Sequence, residues 1–442
     1  MNDQKVWRNG TLIYTSSGLI MLFFLLLMGD FAWSLKDRSV GQILQLLIKE
    51  SGASDTINAL LTMSLPAALG VILTPIACYR SDRCRSRWGR RIPYLIYLTP
   101  VASVAIVGMA YSSDIGDYIA QHTSYSATNA TLLMLGIFWA LFEFSSVVAG
   151  ALFTALVNDV VPHQMLGRFY GAFRCISLGA GIIFNAWFFG FASTHPKILF
   201  LGVCIIYTVG FLVMCFGVKE GTYPEEPEEA RKGGFGAVGE YLRVSFSKPY
   251  YLLVFGFSTM TWLGMVSFAN YGMFYAKSLD VSMDHFGKAI AITYGLSLVF
   301  SYPMGMLADR IHPLKVAIFL MFVYSLVAIC GYFTVTTKMT FLIFYVLCIA
   351  TAGVFFNGTA ALLPRLLPQD NFATMSSGEG IIRSLAMMIY LPVLGWFLDW
   401  TNHHYVYLFL IASVGCFLAA LIGLFLYRKF MAYGGPDNYQ AP

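Results

Sequence analysis

The stretch ACYRSDRCRSRWGRRIPYLI, residues 77–96, concentrates charge in a chain that has little of it. Six arginines and one aspartate lie here between two strongly apolar runs, although charged residues make up only 12% of the 442 residues. Positive residues collect in loops that stay in the cytoplasm, because positive charge resists translocation across a membrane. The stretch therefore indicates a cytoplasmic loop between two membrane-spanning helices.

The rest of the composition agrees with this interpretation, since 58% of the residues are hydrophobic and the mean hydropathy is +0.68. A spanning helix needs about 20 apolar residues. Twelve segments meet that requirement: 11–35, 55–79, 92–111, 130–157, 167–192, 197–218, 250–276, 286–307, 314–335, 340–363, 372–398 and 404–427. The first segment is long, contains Asp30 and lacks a small-residue cleavage site, so it predicts a retained helix. We expect an all-α membrane protein with twelve transmembrane helices.

The basic residues also predict the orientation of the chain. If the N-terminus is cytoplasmic, inner loops and tails hold 19 of the 28 Lys and Arg residues, and two lie inside helices. The seven assigned to outer loops are Lys36, Arg38, Lys49, Lys197, Lys277, Lys288 and Lys338. Both termini are therefore predicted to be cytoplasmic. The net charge of +5 follows from this topology and gives no reason to expect nucleic acid as a partner.

The longest polar stretch between helices, residues 219–249, divides the chain into segments 1–218 and 250–442 with six predicted helices each. Its acidic start, which contains Pro and Gly, is typical of a flexible linker. Its second part places four apolar residues at helical spacing and predicts a short amphipathic helix on the inner membrane surface: Phe235, Val238, Leu242 and Phe246.

The two halves repeat each other in two places. RSDRCRSRWGRR follows the second predicted helix and GMLADRIHPLK follows the eighth, so Asp82-Arg83 and Asp309-Arg310 occupy equivalent positions. ALVNDVVP (155–162) ends the fourth helix and ALLPRLLP (361–368) ends the tenth. Two six-helix halves in parallel repeat, which form pseudo-symmetric bundles, favour a transporter that rocks about a central site.

GMLADRIHPLK resembles the loop signature of the major facilitator superfamily of transporters. YRSDRCRSRWGRRIPY is similar to the variant found in two of its branches, the glycoside–pentoside–hexuronide cation symporters and the plant-type sucrose–proton symporters. VVPHQMLGRFYGAFR also resembles the start of helix 5 in the first branch. The resemblance implies a conformational latch formed by Asp82, Arg83, Gly89, Arg90, Asp309 and Arg310. The alternative is an arginine cluster that only sets the topology.

Five ionisable residues lie inside predicted helices, where burial is costly enough to indicate function: Asp30, Glu143, Arg174, Glu379 and Arg383. Asp30 and Glu143 are candidates for the coupling proton, and the alternative for Asp30 is a helix-end charge that reaches water. Glu379 and Arg383 are four residues apart, so they form either a structural ion pair or one that substrate or proton binding breaks.

Arg174 belongs to a polar stripe on the fifth helix that ends at Asn185. In the first branch an arginine at the matching place helps to form the sugar site, and the alternative is a structural pair with Glu143 or Glu379. Sugar sites combine stacking aromatics with amides and charges. The candidates for substrate binding are Asp30, Trp33, Arg174, Asn185, Trp262, Asn270, Tyr271 and Asn357.

Together these features predict a monomeric secondary active transporter in a plasma or inner membrane, with a sugar or glycoside as its solute and no cofactor. The first branch carries paired aspartates in helix 2 that hold sodium, whereas TINALLTMSLPAALGVILTPIACY (56–79) has no carboxylate. A proton is therefore favoured as the coupling ion; sodium coupling, uncoupled sugar transport and a carrier of lipid-like amphipathic solutes are the alternatives. Metal clusters, nucleophile motifs and phosphate-binding loops are absent from the sequence, which argues against an enzyme.

Overall fold

The computed structural model describes residues 6–222, 243, 246–368 and 372–442, apart from the side chains of His163, Asp309, Ala373 and Asp437. Most of the predicted linker, and with it the predicted amphipathic helix, lies outside the described residues. The chain divides into two compact units, Met1–Pro227 and Glu228–Pro442, and each is described by itself.

Twelve helices in the described part of the chain are long and apolar enough to cross a membrane, which confirms the predicted number. In the first unit they are α1 Ser16–Glu50, α2 Asp55–Asp82, α3 Ile92–Ala110, α4 Ala127–Val160, α5 Leu166–Phe191 and α6 Pro196–Gly217. In the second unit they are α7 Pro249–Ser278, α8 Met283–Ile311, α9 Pro313–Thr334, α10 Lys338–Gly358, α11 Phe372–Trp400 and α12 Tyr407–Ala432.

The two units share one packing pattern. In the first unit α1 packs against α5 and α6, α3 against α4 and α6, and α2 against α4. In the second unit α7 packs against α11 and α12, α9 against α10 and α12, and α8 against α10. Each pair recurs six helices later in the chain, so the parallel repeat seen in the loops extends to the packing of both bundles.

Small residues allow the closest helix pairs to form. Gly264 on α7 lies against Gly415 and Cys416 on α12, and a Cβ added to Gly264 would lie 2.7 Å from the Cys416 sulfur. Close packing of this kind drives helix association in a membrane, because lipid tails are as apolar as the helix surfaces. The outward faces stay apolar, as Ile20 and Phe24 of α1 show, and are suited to contact lipid.

The start of the chain differs from the prediction. Residues 11–15 were predicted to begin the first helix, but strands β1 (Trp7–Asn9) and β2 (Leu12–Tyr14) form an antiparallel hairpin there. The Asn9-Gly10 pair is a strong turn signal, and strands of three residues are too short to show an alternating pattern. Helix α1 then begins at Ser16, where the Thr15 hydroxyl caps it by accepting the Gly18 amide.

Helix α1 also ends much later than predicted. It continues to Glu50, so Lys36, Arg38 and Lys49, which were predicted to lie in an outer loop, belong to the helix. A helix predicted from hydropathy ends at the first cluster of charges, because hydropathy does not show whether other helices bury those charges. The predicted loop 112–129 also contains an amphipathic helix, Ser112–His122.

Candidate functional site

Asp30 lies near the middle of α1 and is fully buried. One of its oxygens, Oδ1, accepts a hydrogen bond from the Ser34 hydroxyl one turn later, at 3.1 Å. The other oxygen, Oδ2, is buried and has no hydrogen-bond partner among the described residues. An ionised carboxylate is costly in such surroundings unless it is paired. The prediction that Asp30 is a helix-end charge in water is therefore wrong.

Lys36 lies six residues further along α1 and is also fully buried. Its ammonium donates a hydrogen bond of 2.6 Å to the Ser146 hydroxyl on α4. The Nζ atom lies 3.6 Å from the centroid of the Trp33 ring, and the rings of Phe142 and Tyr207 are 5.0 and 5.3 Å away. Three aromatic rings and a hydroxyl thus surround a buried cation, and cation–π attraction is strongest where water is excluded.

The negative charges that attract this cation are those of its chain neighbour Asp37 and, on α4, of Glu143. The Glu143 carboxylate and the Lys36 ammonium are close enough to attract one another. Sequence reasoning identified Glu143 but missed Lys36, which it placed in a loop. The signal that could have found Lys36 is its spacing, because Trp33 and Lys36 lie three residues apart and share one helix face.

Trp33 is half-buried, and its ring packs against Phe153, Tyr207 and Phe211 at centroid distances of 5.5 to 6.2 Å. These rings fix the indole beneath the Lys36 ammonium. Trp33 therefore has a structural role in holding the Lys36 ammonium, in addition to any contact with a solute.

The polar stripe of α5 changes from exposed to buried along the helix. Arg174 is exposed, Ser177 accepts a 3.1 Å hydrogen bond from Arg38 of α1, and Asn185 is buried. Asn185 donates to the carbonyl of Gly181 and lies in a π-helical turn, Phe184–Phe188, while its side-chain oxygen has no partner in the described part of the chain. Turns of this type often occur at functional sites.

The second unit contains a cavity of about 320 Å³ between α7, α10 and α11. The residues that line it include Ser258, Trp262, Phe356, Thr359, Ser376 and Arg383. The Arg383 guanidinium lies 4.8 Å from the Trp262 ring, and that ring packs on Phe356 at 4.6 Å. Two sequence candidates, Trp262 and Arg383, are thus brought together in one polar and aromatic cavity.

Glu379 forms an ion pair with Arg383 and positions it. It is 2% exposed, accepts a 2.6 Å hydrogen bond from Ser258 on α7, and lies 3.5 Å from Arg383 Nη1. The side chain of Arg383 is 31% exposed and can meet a ligand while Glu379 holds it. The arrangement joins α7 to α11 through one carboxylate.

Of three other predicted residues, Tyr271 and Asn357 make contacts that join helices. Tyr271 is fully buried and its hydroxyl donates to the carbonyl of Leu391. Asn270 is fully buried as well. Asn357 on α10 is half-buried and donates to the carbonyl and hydroxyl of Ser297 on α8.

The arginine loop between α2 and α3 is held by acidic residues of the first unit. Arg90 makes a bidentate pair with Asp159 at the end of α4, at 2.6 and 3.0 Å. Arg91 bonds to Asp82 and Asp159 as well as to the Ser81 hydroxyl. Asp82 thus pairs with both arginines. Its Oδ1 lies 2.5 Å from Arg91 Nη2 and 3.7 Å from Arg90 Nη1. Sequence reasoning found Asp82 and Arg90 but missed Arg91 and Asp159.

Glu220, just after α6, closes the other side of this loop. Its carboxylate accepts hydrogen bonds from the backbone amides of Arg90, Arg91 and Ile92, at 2.7 to 2.9 Å, and so caps α3. Gly89 has φ +108°, and a Cβ there would lie within 2.7 Å of the Glu220 side chain. The loop therefore requires glycine at this position.

The predicted latch also includes Arg83, Asp309 and Arg310. Arg83 stacks on Tyr79 with its guanidinium carbon 3.5 Å from the ring centroid. In the second unit Arg310 is exposed, and the side chain of Asp309 lies outside the described part.

His312 forms the turn that follows Asp309-Arg310 and has φ +78°. Its Nδ1 accepts the Leu314 amide at 3.3 Å and its ring stacks on Phe430 at 4.6 Å. Burial, together with the positive charges of Arg365 and Lys315, lowers the pKa of His312 to about 4. The folded protein thus holds this imidazole neutral at physiological pH.

With this geometry in hand, the chain can be compared with known proteins. A family model described as MFS/sugar transport protein matches residues 12–399, which is most of the chain. The chain is 24% identical over 331 residues to sucrose transport protein SUT1 of Oryza sativa subsp. japonica, covering 64% of this chain and 59% of the relative. It is 27% identical over 183 residues to solute carrier family 45 member 4 of Mus musculus, covering 38% of this chain and 23% of the relative.

These alignments span between a quarter and three fifths of the curated relatives. The fold is similar to the crystal structure of a D-xylose–proton symporter, with a TM-score of 0.67, 15% identity, and coverage of 91% of this chain and 97% of that one. At this identity the likeness supports the fold alone.

Proposed function

The chain belongs to the MFS/sugar transport protein family, a family of membrane transporters and not of enzymes, and from that premise we propose that it carries a sugar or glycoside together with a proton by alternating access. A sugar as the solute is supported by the family and by the sucrose transport named for the rice relative. The energy then comes from a proton gradient, with no cofactor.

The observation that carries the proton part of the proposal is Asp30. This carboxyl group is fully buried in a membrane-spanning helix, with Ser34 as partner of one oxygen and none described for the other. Protonation removes the cost of burying an unpaired carboxylate, whereas exposure to water allows the proton to leave. A carboxyl group that alternates between these surroundings moves one proton in each cycle.

The Lys36–Glu143 pair supports the same proposal. Lys36 is buried six residues after Asp30 on α1 and attracts Glu143, so a change of charge at Asp30 alters the field on Lys36. We assign this pair the task of keeping the site close to neutral when Asp30 gives up its proton.

We place part of the sugar site at the cavity of the second unit. Its volume of about 320 Å³ lies in the range of small-molecule pockets. Trp262 offers a face for the apolar side of a sugar ring, and Arg383 and Ser258 offer donors and an acceptor for hydroxyl groups.

We also propose that the arginine loop acts as a latch. Asp82, Arg90 and Arg91, joined to Asp159 and Glu220, connect the ends of α2, α4 and α6 to the start of α3. A network of this kind favours one conformational state, and a few kcal/mol suffice to shift the balance between states.

The test is uptake of labelled solutes by proteoliposomes under an inward proton or sodium gradient. Disaccharides, pentosides, uronates and lysolipids form the panel. We expect a proton gradient to drive uptake of one sugar class. Asp30→Asn should lose this accumulation but keep exchange of labelled for unlabelled sugar, because exchange needs no net proton movement.

Asp117→Asn, the same change at an exposed position of the Ser112–His122 helix, is the matched control and should behave as wild type. Accumulation that follows only a sodium gradient, or uptake of lysolipids alone, would contradict the proposal. So would full proton-driven accumulation by Asp30→Asn.

A further inference from the structure

A second cavity, of about 690 Å³, lies between the start of α7 and the end of α12. The residues that line it include Lys248, Tyr250, Leu252, Phe425, Lys429 and Tyr433. It lies entirely within the second unit and shares no lining residue with the cavity around Trp262. Nothing in the transport proposal uses this space.

The charge around this cavity is positive. Lys248 and Lys429 are both exposed, and within the described residues neither forms an ion pair with a carboxylate. Their ammonium groups lie near aromatic rings instead, Lys248 6.0 Å from Tyr251 and Lys429 5.8 Å from Phe425. Two cations that have no carboxylate partner in the described part of the chain line one cavity, which favours an anionic ligand.

The neighbouring surface is positive too. Arg428 is exposed next to Lys429, and the Lys315 ammonium lies 5.5 Å from the ring of the preceding residue on α12, Tyr427. This surface attracts anions toward the cavity without lining it.

The walls of the cavity are apolar on the side that continues the spanning helices. Leu252 on α7 is 43% exposed and Phe425 on α12 is 51% exposed. Large apolar side chains exposed on membrane-spanning helices are suited to contact acyl chains. The ligand is therefore expected to have an anionic head and an apolar tail.

The cavity is closed on its remaining side by the end of the chain. The Tyr439 hydroxyl donates to the carbonyl of Leu366 at 2.7 Å and lies 3.1 Å from the Tyr250 hydroxyl, and Tyr251 donates to the main-chain oxygen of Pro442. Tyrosines at this level are typical of the membrane–water interface. The predicted topology places this end of α7 and α12 in the cytoplasmic leaflet, where anionic lipids are enriched.

We propose that this cavity binds an anionic phospholipid, with its phosphate between Lys248 and Lys429 and its acyl chains along Leu252 and Phe425. The site is independent of the transported solute.

Native mass spectrometry of the full-length protein in detergent tests the proposal, with dioleoyl phosphatidylglycerol and phosphatidylcholine as probes. We expect one phosphatidylglycerol to bind more tightly than phosphatidylcholine. In the double variant Lys248→Gln/Lys429→Gln its affinity should fall at least tenfold, because both charge-assisted contacts to the phosphate are lost.

The matched control is Lys315→Gln/Arg428→Gln, which removes two charges on the same face that do not line the cavity. It should keep the affinity within about twofold. An equal loss in both double variants would overturn the site in favour of diffuse attraction. Binding of soluble glycerophosphate with the same affinity as the lipid would overturn the assignment of a phospholipid, as would equal binding of the two lipids.

Discussion

The substitution Lys36→Met removes a buried ammonium while keeping an unbranched side chain of similar length. It eliminates the 2.6 Å hydrogen bond to Ser146 and the contact with the Trp33 ring at 3.6 Å. It also leaves the Glu143 carboxylate without the cation that attracts it. We expect a large loss of stability, because several interactions of one buried cation are lost together.

The magnitude follows from these contacts. A hydrogen bond to a charged group contributes about 1.5–3 kcal/mol, and a desolvated cation–π contact about 2 kcal/mol. Lys36 and Glu143 attract each other but are not within ion-pair distance, so the loss of this attraction costs less than the roughly 3–5 kcal/mol of a broken buried ion pair. These terms describe one charge and overlap, so we expect Lys36→Met to lower the free energy of unfolding by about 3–5 kcal/mol and not by their sum.

The double variant Lys36→Met/Glu143→Gln leaves neither charge alone. It should therefore be more stable than the two single losses predict, with a coupling energy of about 1–3 kcal/mol. Dodecyl sulfate titration of helix content in mixed micelles measures the four free energies of unfolding that this cycle needs.

The matched control is the exposed pair of Lys288 and Asp284, four residues apart on α8 at 2.7 Å. A cycle through Lys288→Met and Asp284→Asn should give a coupling energy below about 1 kcal/mol, because water screens exposed pairs. Purely additive losses for Lys36 and Glu143, with coupling no larger than in the control, would refute the reasoning.

Three further predictions concern the arginine loop, the cavity and the second-unit turn. Gly89→Ala should lower the melting temperature, because a Cβ at φ +108° displaces Glu220 and adds strain of about 1–3 kcal/mol; an unchanged melting temperature would contradict the capping role of Glu220. Arg383→Gln should weaken sugar binding, measured by calorimetry, by about tenfold or more, since a charged donor is lost; exposed Arg310→Gln is its control, and equal dissociation constants for both would count against the cavity. His312→Asn should flatten the loss of stability between pH 6.5 and 4, where the unfolded chain binds a proton that the folded chain does not; identical pH profiles of the melting temperature for variant and wild type would disprove this.

Much of the fold could be predicted from the sequence, because apolar runs of about 20 residues are a one-dimensional signal. The end of α1 could not. Charges at Lys36 and Arg38 look like a loop until the rings of α4 and α6 that cover Lys36 are known. The hairpin at Trp7–Tyr14 was missed because its strands have three residues each.

The candidate site was predictable only where residues stand out by themselves. Asp30, Glu143 and Arg383 are rare charges in apolar segments, and sequence alone found them. Glu220 was missed because the amides that it caps lie about 130 residues earlier in the chain, a separation that leaves no local pattern.

The most direct measurement of the central claim is the pH inside proteoliposomes when solute is added outside and no proton or sodium gradient is imposed. If sugar and proton cross together, a transported sugar should acidify the lumen, and Asp30→Asn should abolish the signal while Asp117→Asn retains it. Sugar entry without a change of internal pH, or an equal signal from Asp30→Asn, would contradict proton coupling through Asp30.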